Sequence, residues 1–290
     1  MDVKGEPPPG AALPRPGAHG RPGRGLRRPL SLLAALVLLS VAPALPSRAQ
    51  ETPPGKGHGR DVAKLCREAE RQYKNKKDRD VDRLVEIFRV FDEIYPKATA
   101  RERKMMLRTL RKGFDIQPFP KEARFLVTAA ACFADMGREG LDAILYALKR
   151  KTLVRRSGRE RDPADMEKLK VEETLILAMG FNGDPRALKP LLKYLESGEP
   201  FRVNAACRAL ARFSKLPLDQ RKVLVEKMIR IYCRISREAE EKGDESKAYD
   251  LLLSVEVPFN EALNRLTLRS FESAPEWRTW FEANRDKKKW

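Results

Sequence analysis

Histidine is nearly missing from this 290-residue chain: His19 and His58 are the only two, and both precede the first convincing helix pattern. Histidine is the usual general base near neutral pH and a common metal ligand, so a histidine-based active centre or metal site is not expected. Cysteine is scarce as well. Cys66, Cys132, Cys207 and Cys233 are too far apart for a Cys-x-x-Cys pair or a zinc-ligand spacing. There is no Gly-x-Ser-x-Gly elbow, no phosphate-binding glycine loop and no Gly-x-Gly-x-x-Gly turn. The paired acids Glu172-Glu173 and Glu240-Glu241 read as exposed helix surface, with no orienting partner nearby in sequence. No run alternates apolar and polar residues with the turn signals of a sheet. These absences leave a chain for which neither catalysis nor a cofactor is expected.

What is abundant is positive charge. The 59 Lys and Arg outnumber the 41 Asp and Glu, for a formal net charge of +18. Hydrophobic residues make up 42%, which suits a folded body rather than a multi-span membrane protein or a disordered chain. Part of the charge belongs to the N-terminus. Six prolines and six glycines in residues 1–25 read as a tail. Arg24, Arg27 and Arg28 then precede an apolar run, Leu30–Ala42, and Ser47-Arg48-Ala49 places small residues before a cut after Ala49. A basic region, a short apolar stretch and a small-x-small end are the parts of a secretory signal. As a helix the run spans roughly 20 Å, short of the ~30 Å hydrocarbon core of a bilayer. A cleaved leader over 1–49 is therefore expected, with export to the bacterial periplasm, envelope or medium. The Arg27-Arg28 pair would suit a twin-arginine route, but Pro29-Leu30 departs from that pattern and favours ordinary secretion. Membrane contact is expected only through an uncleaved leader. Residues 50–60 read as a linker.

From Asp61 onward, apolar residues recur at i, i+3, i+4 and i+7, the mark of a helix with one buried face. The stripe appears at Val81, Leu84, Val85 and Phe88, and again at Leu141, Ile144, Leu145 and Leu148. It returns at Leu188, Leu191, Leu192 and Leu195, at Val203, Ala206, Cys207 and Leu210, and at Ala248, Leu251, Leu252 and Val255. Phe259, Ala262, Leu263 and Leu266 give another copy. Asn182-Gly183-Asp184-Pro185 reads as a junction: Gly183 ends one helix, Asp184 caps the next, and Pro185 suits the first helical position. The Leu141 and Leu188 stripes match position for position 47 residues apart. Removing the 13-residue basic stretch Lys149–Arg161 would leave a spacing of 34, near one helix-pair repeat. The expected fold is all-α, an α-solenoid of antiparallel helix pairs over 61–290, with the clearest repeats at 119–237 and a cap at 244–290.

Within Leu177–Phe213, the features Gly183-Asp184-Pro185-Arg186-Ala187, Leu191-Leu192, and Asn204-Ala205-Ala206 leading to Ala209-Leu210 carry a resemblance. The segment resembles HEAT repeats of the phycobilin-lyase type. It departs from them at one point, where Arg202 precedes Val203 instead of following a valine. The signal, central repeats and tryptophan-rich end together resemble exported bacterial HEAT-repeat proteins. That resemblance implies a HEAT-like solenoid that binds another protein. Lyase-like activity would follow by analogy of fold alone.

Three features are candidates for function. The insert carries Arg150, Arg155, Arg156, Arg159 and Arg161, readable as a site for an acidic partner, polymer or membrane surface, or as a solvated loop. It lacks the interleaved aromatics of single-strand binding, so nucleic acid is not expected. All three tryptophans fall in the last 14 residues. Trp277, Trp280 and Phe281 share a helix face and, with Trp290, read as a cap on the solenoid or a docking patch. Cys207 and Cys233, on successive helices, are the best-placed disulfide pair, against four free and buried thiols. A protein partner and a monomeric chain are expected.

Overall fold

The structure, a computed structural model, describes residues 59–117, 119–150 and 163–290. The expected leader, most of the linker, and Arg155, Arg156, Arg159 and Arg161 lie outside those residues. The regular elements are helices: α1 (Gly59–Lys74), α2 (Val81–Ile94), α3 (Ala100–Gly113), α4 (Arg124–Asp135), α5 (Gly137–Leu148), α6 (Pro163–Asn182), α7 (Leu188–Leu195), α8 (Pro200–Leu210), α9 (Leu218–Lys242), α10 (Lys247–Thr267) and α11 (Ala274–Asn284). No strand occurs among the described residues.

Local chemistry sets where these helices begin. Asp80 accepts a hydrogen bond from the Arg83 amide at 2.9 Å to start α2. Thr99 and Glu102 form a capping box at α3, each side chain bonded to the other's backbone amide. Before α7, Gly183 takes a φ of +71° that other residues resist. Asp184 then accepts from the Arg186 amide at 2.9 Å, and Pro185 opens a short 3-10 turn that runs into the helix.

Antiparallel pairs such as α4/α5, α7/α8 and α9/α10 recur along the chain, and they stack into two layers. In one layer α2, α4, α6, α8 and α10 each contact the next. In the other, α3 lies on α1 and α5, while α9 lies on α7 and α11. The apolar stripes point between the layers and merge into one continuous core. Val203, Ala206, Cys207 and Leu210 of α8 are all fully buried there. The stripes at 248–255 and 259–266 occupy a single helix, α10, which runs through Pro258. Proline has no N–H to give the helix, but Val255 and Phe259 on either side are fully buried and hold the segment in place.

Small residues decide how closely the even-numbered layer packs. A Cβ at Gly180 of α6 would lie 2.5 Å from the Ala209 Cα and 2.6 Å from its carbonyl oxygen. Two backbones therefore meet where α6 crosses α8. At the C-terminal end, Trp277 is fully buried, and its indole N–H donates to Asn260 Oδ1 at 2.9 Å. Phe271 and Trp280 both meet it edge-on and lie tilted against each other. Trp290 folds back on Trp280 and Phe281, with ring centroids 5.3 and 5.9 Å away. Its N–H donates to the Asn284 carbonyl at 3.0 Å.

Candidate functional site

Charge is divided unevenly between the layers. Helix α3 carries Arg101, Arg103, Lys104, Arg108, Arg111 and Lys112 against Glu102 alone. Helix α2, in the opposite layer, carries Asp82, Glu86, Asp92 and Glu93 against Arg83 and Arg89. The i, i+3, i+7 and i+10 spacing of Arg101, Lys104, Arg108 and Arg111 puts those four cations on one side of α3. Leu107, Leu110 and Gly113 occupy the buried side. The same layer exposes Lys189 and Lys193 on α7 and Arg234 on α9.

Between α3 and α5 runs an open groove of about 620 Å³, lined by Lys104, Leu107, Arg108, Arg111, Lys112, Asp115, Glu139, Asp142 and Tyr146. Its acidic groups are already engaged. Glu139 accepts from the Tyr95 hydroxyl at 2.9 Å. Asp142 pairs with Arg186 at 3.0 Å. Asp115 accepts from the Tyr146 hydroxyl at 2.8 Å and sits 2.6 Å from Arg150 Nε. The Arg111 guanidinium lies over the Tyr146 ring, 4.0 Å from its centroid. Burial, reinforced by Asp115, pushes the Tyr146 phenol above its ordinary value, so it remains a donor. Lys112 is paired with Glu70. Lys104 and Arg108 are exposed and have no partner among the described residues.

A second groove, of about 650 Å³, lies between α9 and α11. Its lining carries five arginines against four glutamates; Arg230 pairs with Glu226 at 2.9 Å, and Arg278 faces Glu282 at 3.9 Å.

The sequence-derived candidates have separate fates. Of the insert arginines, only Arg150 is described, and it is held by Asp115 and the face of Tyr146 rather than presented outward. Trp277 and Phe281 are core residues of the closing end, and Trp280 and Trp290 are partly buried against them. The Cys207–Cys233 bridge is not formed, because the two thiols face different neighbours. Cys207 is fully buried in the core, whereas the Cys233 thiol donates to the Ala274 carbonyl at 3.4 Å. All four cysteines are free, and burial raises every thiol, that of Cys132 to about 12. Thiols held protonated in this way are poor nucleophiles.

Glu172 departs from the expected exposed acid. It is 6% exposed and takes a forked contact from Arg202, Nε to Oε1 at 2.8 Å and Nη2 to Oε2 at 3.3 Å. The arginine that departs from the HEAT-like pattern thus ties α8 to α6. Comparison with protein-family models, curated proteins and solved structures finds no match. Among the described residues no three His, Cys, Asp or Glu side chains converge as a metal site, and no helix is long and apolar enough to cross a membrane.

The α3 stripe was the feature that sequence reasoning passed over. Its signal was the basic spacing within Ala100–Gly113, visible once the helix phase is known.

Proposed function

We propose that this chain is a non-catalytic interaction scaffold of the HEAT-like kind, exported by its N-terminal leader, and that it binds a partner protein on the odd-helix layer. The observation that carries this reading is the set of exposed cations on that layer that have no partner among the described residues: Lys104 and Arg108 on α3, Lys189 and Lys193 on α7, and Arg234 on α9. A rigid helical stack offers a largely preformed surface, and clustered charge of one sign steers an oppositely charged partner and selects its orientation. The even layer instead exposes apolar side chains, among them Phe181, Leu253 and Val257.

The test is quantitative affinity purification from an envelope extract of the encoding organism. Wild type would be compared with a Lys193→Glu/Arg234→Glu variant of the odd layer and a Leu253→Glu/Val257→Glu variant of the even layer. The reading requires a partner held in stoichiometric amount that is lost on reversing the odd-layer charges. Loss only with the even-layer variant overturns it. Retention of polyanions in place of any protein would favour the electrostatic polymer binder implied by a basic surface, with steep salt dependence as its signature.

A further inference from the structure

We infer that the groove between α3 and α5 is the recognition site for an acidic polypeptide segment, in which Lys104 and Arg108 bind its carboxylates and the Arg111–Tyr146 pair forms the floor. The inference rests on the scaffold reading and deepens it by naming one site and the chemistry of its occupant. The argument begins with charge balance inside the groove. Each acidic group on its walls already has a partner: the Tyr95 hydroxyl for Glu139, Arg186 for Asp142, and the Tyr146 hydroxyl for Asp115, which also sits beside the Arg150 charge. The cations of the α3 wall are not matched in return. Lys104 and Arg108 have no partner among the described residues, and Arg111 rests on an aromatic face instead of a carboxylate. With Lys112 taken by Glu70, Asp142 by Arg186 and Asp115 beside Arg150, the charges of Lys104, Arg108 and Arg111 face only the Glu139 carboxylate, whose one partner is a neutral hydroxyl, so the groove keeps a positive excess.

Its dimensions suit a peptide. Along its α3 wall, Lys104 to Lys112 covers eight residues of helix, roughly 12 Å at 1.5 Å each. An extended chain covers that length with about four residues at ~3.3 Å each. The groove is open along this length, with a volume of about 620 Å³. The lining also favours polypeptide over a bare polyanion. The Tyr146 ring, with the edge of the largely buried Leu107, supplies apolar surface among the cations, which suits carboxylates spaced by carbon side chains. The Arg111 guanidinium is already stacked on Tyr146, so one donor group is oriented before any ligand arrives.

The probe is a fluorescein-labelled oligoglutamate peptide, titrated by anisotropy into the full chain at low ionic strength, with inorganic polyphosphate as competitor. Lys104→Glu/Arg108→Glu is compared with Lys189→Glu/Lys193→Glu, which reverses two charges elsewhere on the same layer. Circular dichroism confirms that both variants are folded. The α3 variant is expected to weaken binding about tenfold or more, as for lost contacts between close charges, and the α7 variant about threefold or less, as for a diffuse field. Equal losses in both variants would overturn the groove assignment while leaving a broad basic surface, and with it the scaffold reading, intact. Polyphosphate binding without peptide binding would overturn the acidic-polypeptide assignment. Failure of wild type to bind either probe would overturn the groove and the odd-layer surface together.

Discussion

Replacing Gly180 by alanine sets two effects of opposite sign against each other. Alanine is the better helix former, and the exchange on its own stabilises a helix interior by up to about 1 kcal/mol. Here, however, the added methyl would sit 2.5 Å from the Ala209 Cα, 2.6 Å from the Ala209 carbonyl oxygen and 2.8 Å from its Cβ. Two of those atoms are backbone and cannot rotate away. Relief requires α6 and α8 to part by roughly 1 Å, which would loosen the fully buried contacts of Met179, Ala206 and Leu210. Overpacking of this kind costs about 1–3 kcal/mol, so the net effect is a destabilisation of roughly 1–2 kcal/mol once the helix gain is deducted. For a helical body of this size, that corresponds to a fall in Tm of about 2–8 °C. Urea unfolding followed at 222 nm would report it as a lower midpoint with an unchanged slope. Gly113→Ala is the control, because its nearest neighbour is the rotatable Leu126 side chain at 3.2 Å. A Gly180→Ala protein as stable as wild type, or more so, would refute the close α6–α8 crossing.

Arg202→Ala should cost about 3 kcal/mol, since it leaves the largely buried Glu172 carboxylate without its partner. Glu172→Ala should cost less, about 1–2 kcal/mol, because the Arg202 side chain is 30% exposed and can turn to solvent; chemical denaturation of the pair checks the order, and equal costs would contradict it. Asp92→Asn should stabilise the protein at neutral pH. Burial, with Asp135 and Glu93 nearby, raises the Asp92 carboxyl above its usual range, so the penalty for its charge is full above the folded pKa and vanishes below the unfolded one. The gain should therefore shrink as pH falls through that window, and Tm measured against pH for both proteins decides it. Thiol titration of the native chain should find Cys66, Cys132 and Cys207 unreactive and half-buried Cys233 slow. Denaturant should expose all four, and a count of two under non-reducing conditions would revive the Cys207–Cys233 bridge.

The helices were legible because burial imposes a period. Leu141, Ile144 and the α8 stripe could only face a core, and the Gly183-Asp184-Pro185 junction carries a separate physical reason at each position. What depends on residues distant in sequence was not legible. Glu172 looks like any surface acid until α8 brings Arg202 to it from 30 positions away. Arg150 looks free until Asp115 and Tyr146 are placed beside it. Pro258 looks like a helix boundary, yet the buried residues on each side of it carry α10 through. The cationic stripe on α3 was written plainly in the spacing of Arg101, Lys104, Arg108 and Arg111. Its meaning required knowing which acids nearby were already taken.

The central claim, a scaffold that meets its partner on the odd-helix layer, is most directly tested by photocrosslinking in the encoding organism. A photoreactive amino acid is placed at Lys104 or Lys193 on that layer, or at Leu253 or Val257 on the other. The account predicts that one protein is captured from the Lys104 and Lys193 positions and little from the other two. Capture of the same protein chiefly from Leu253 and Val257 would contradict it.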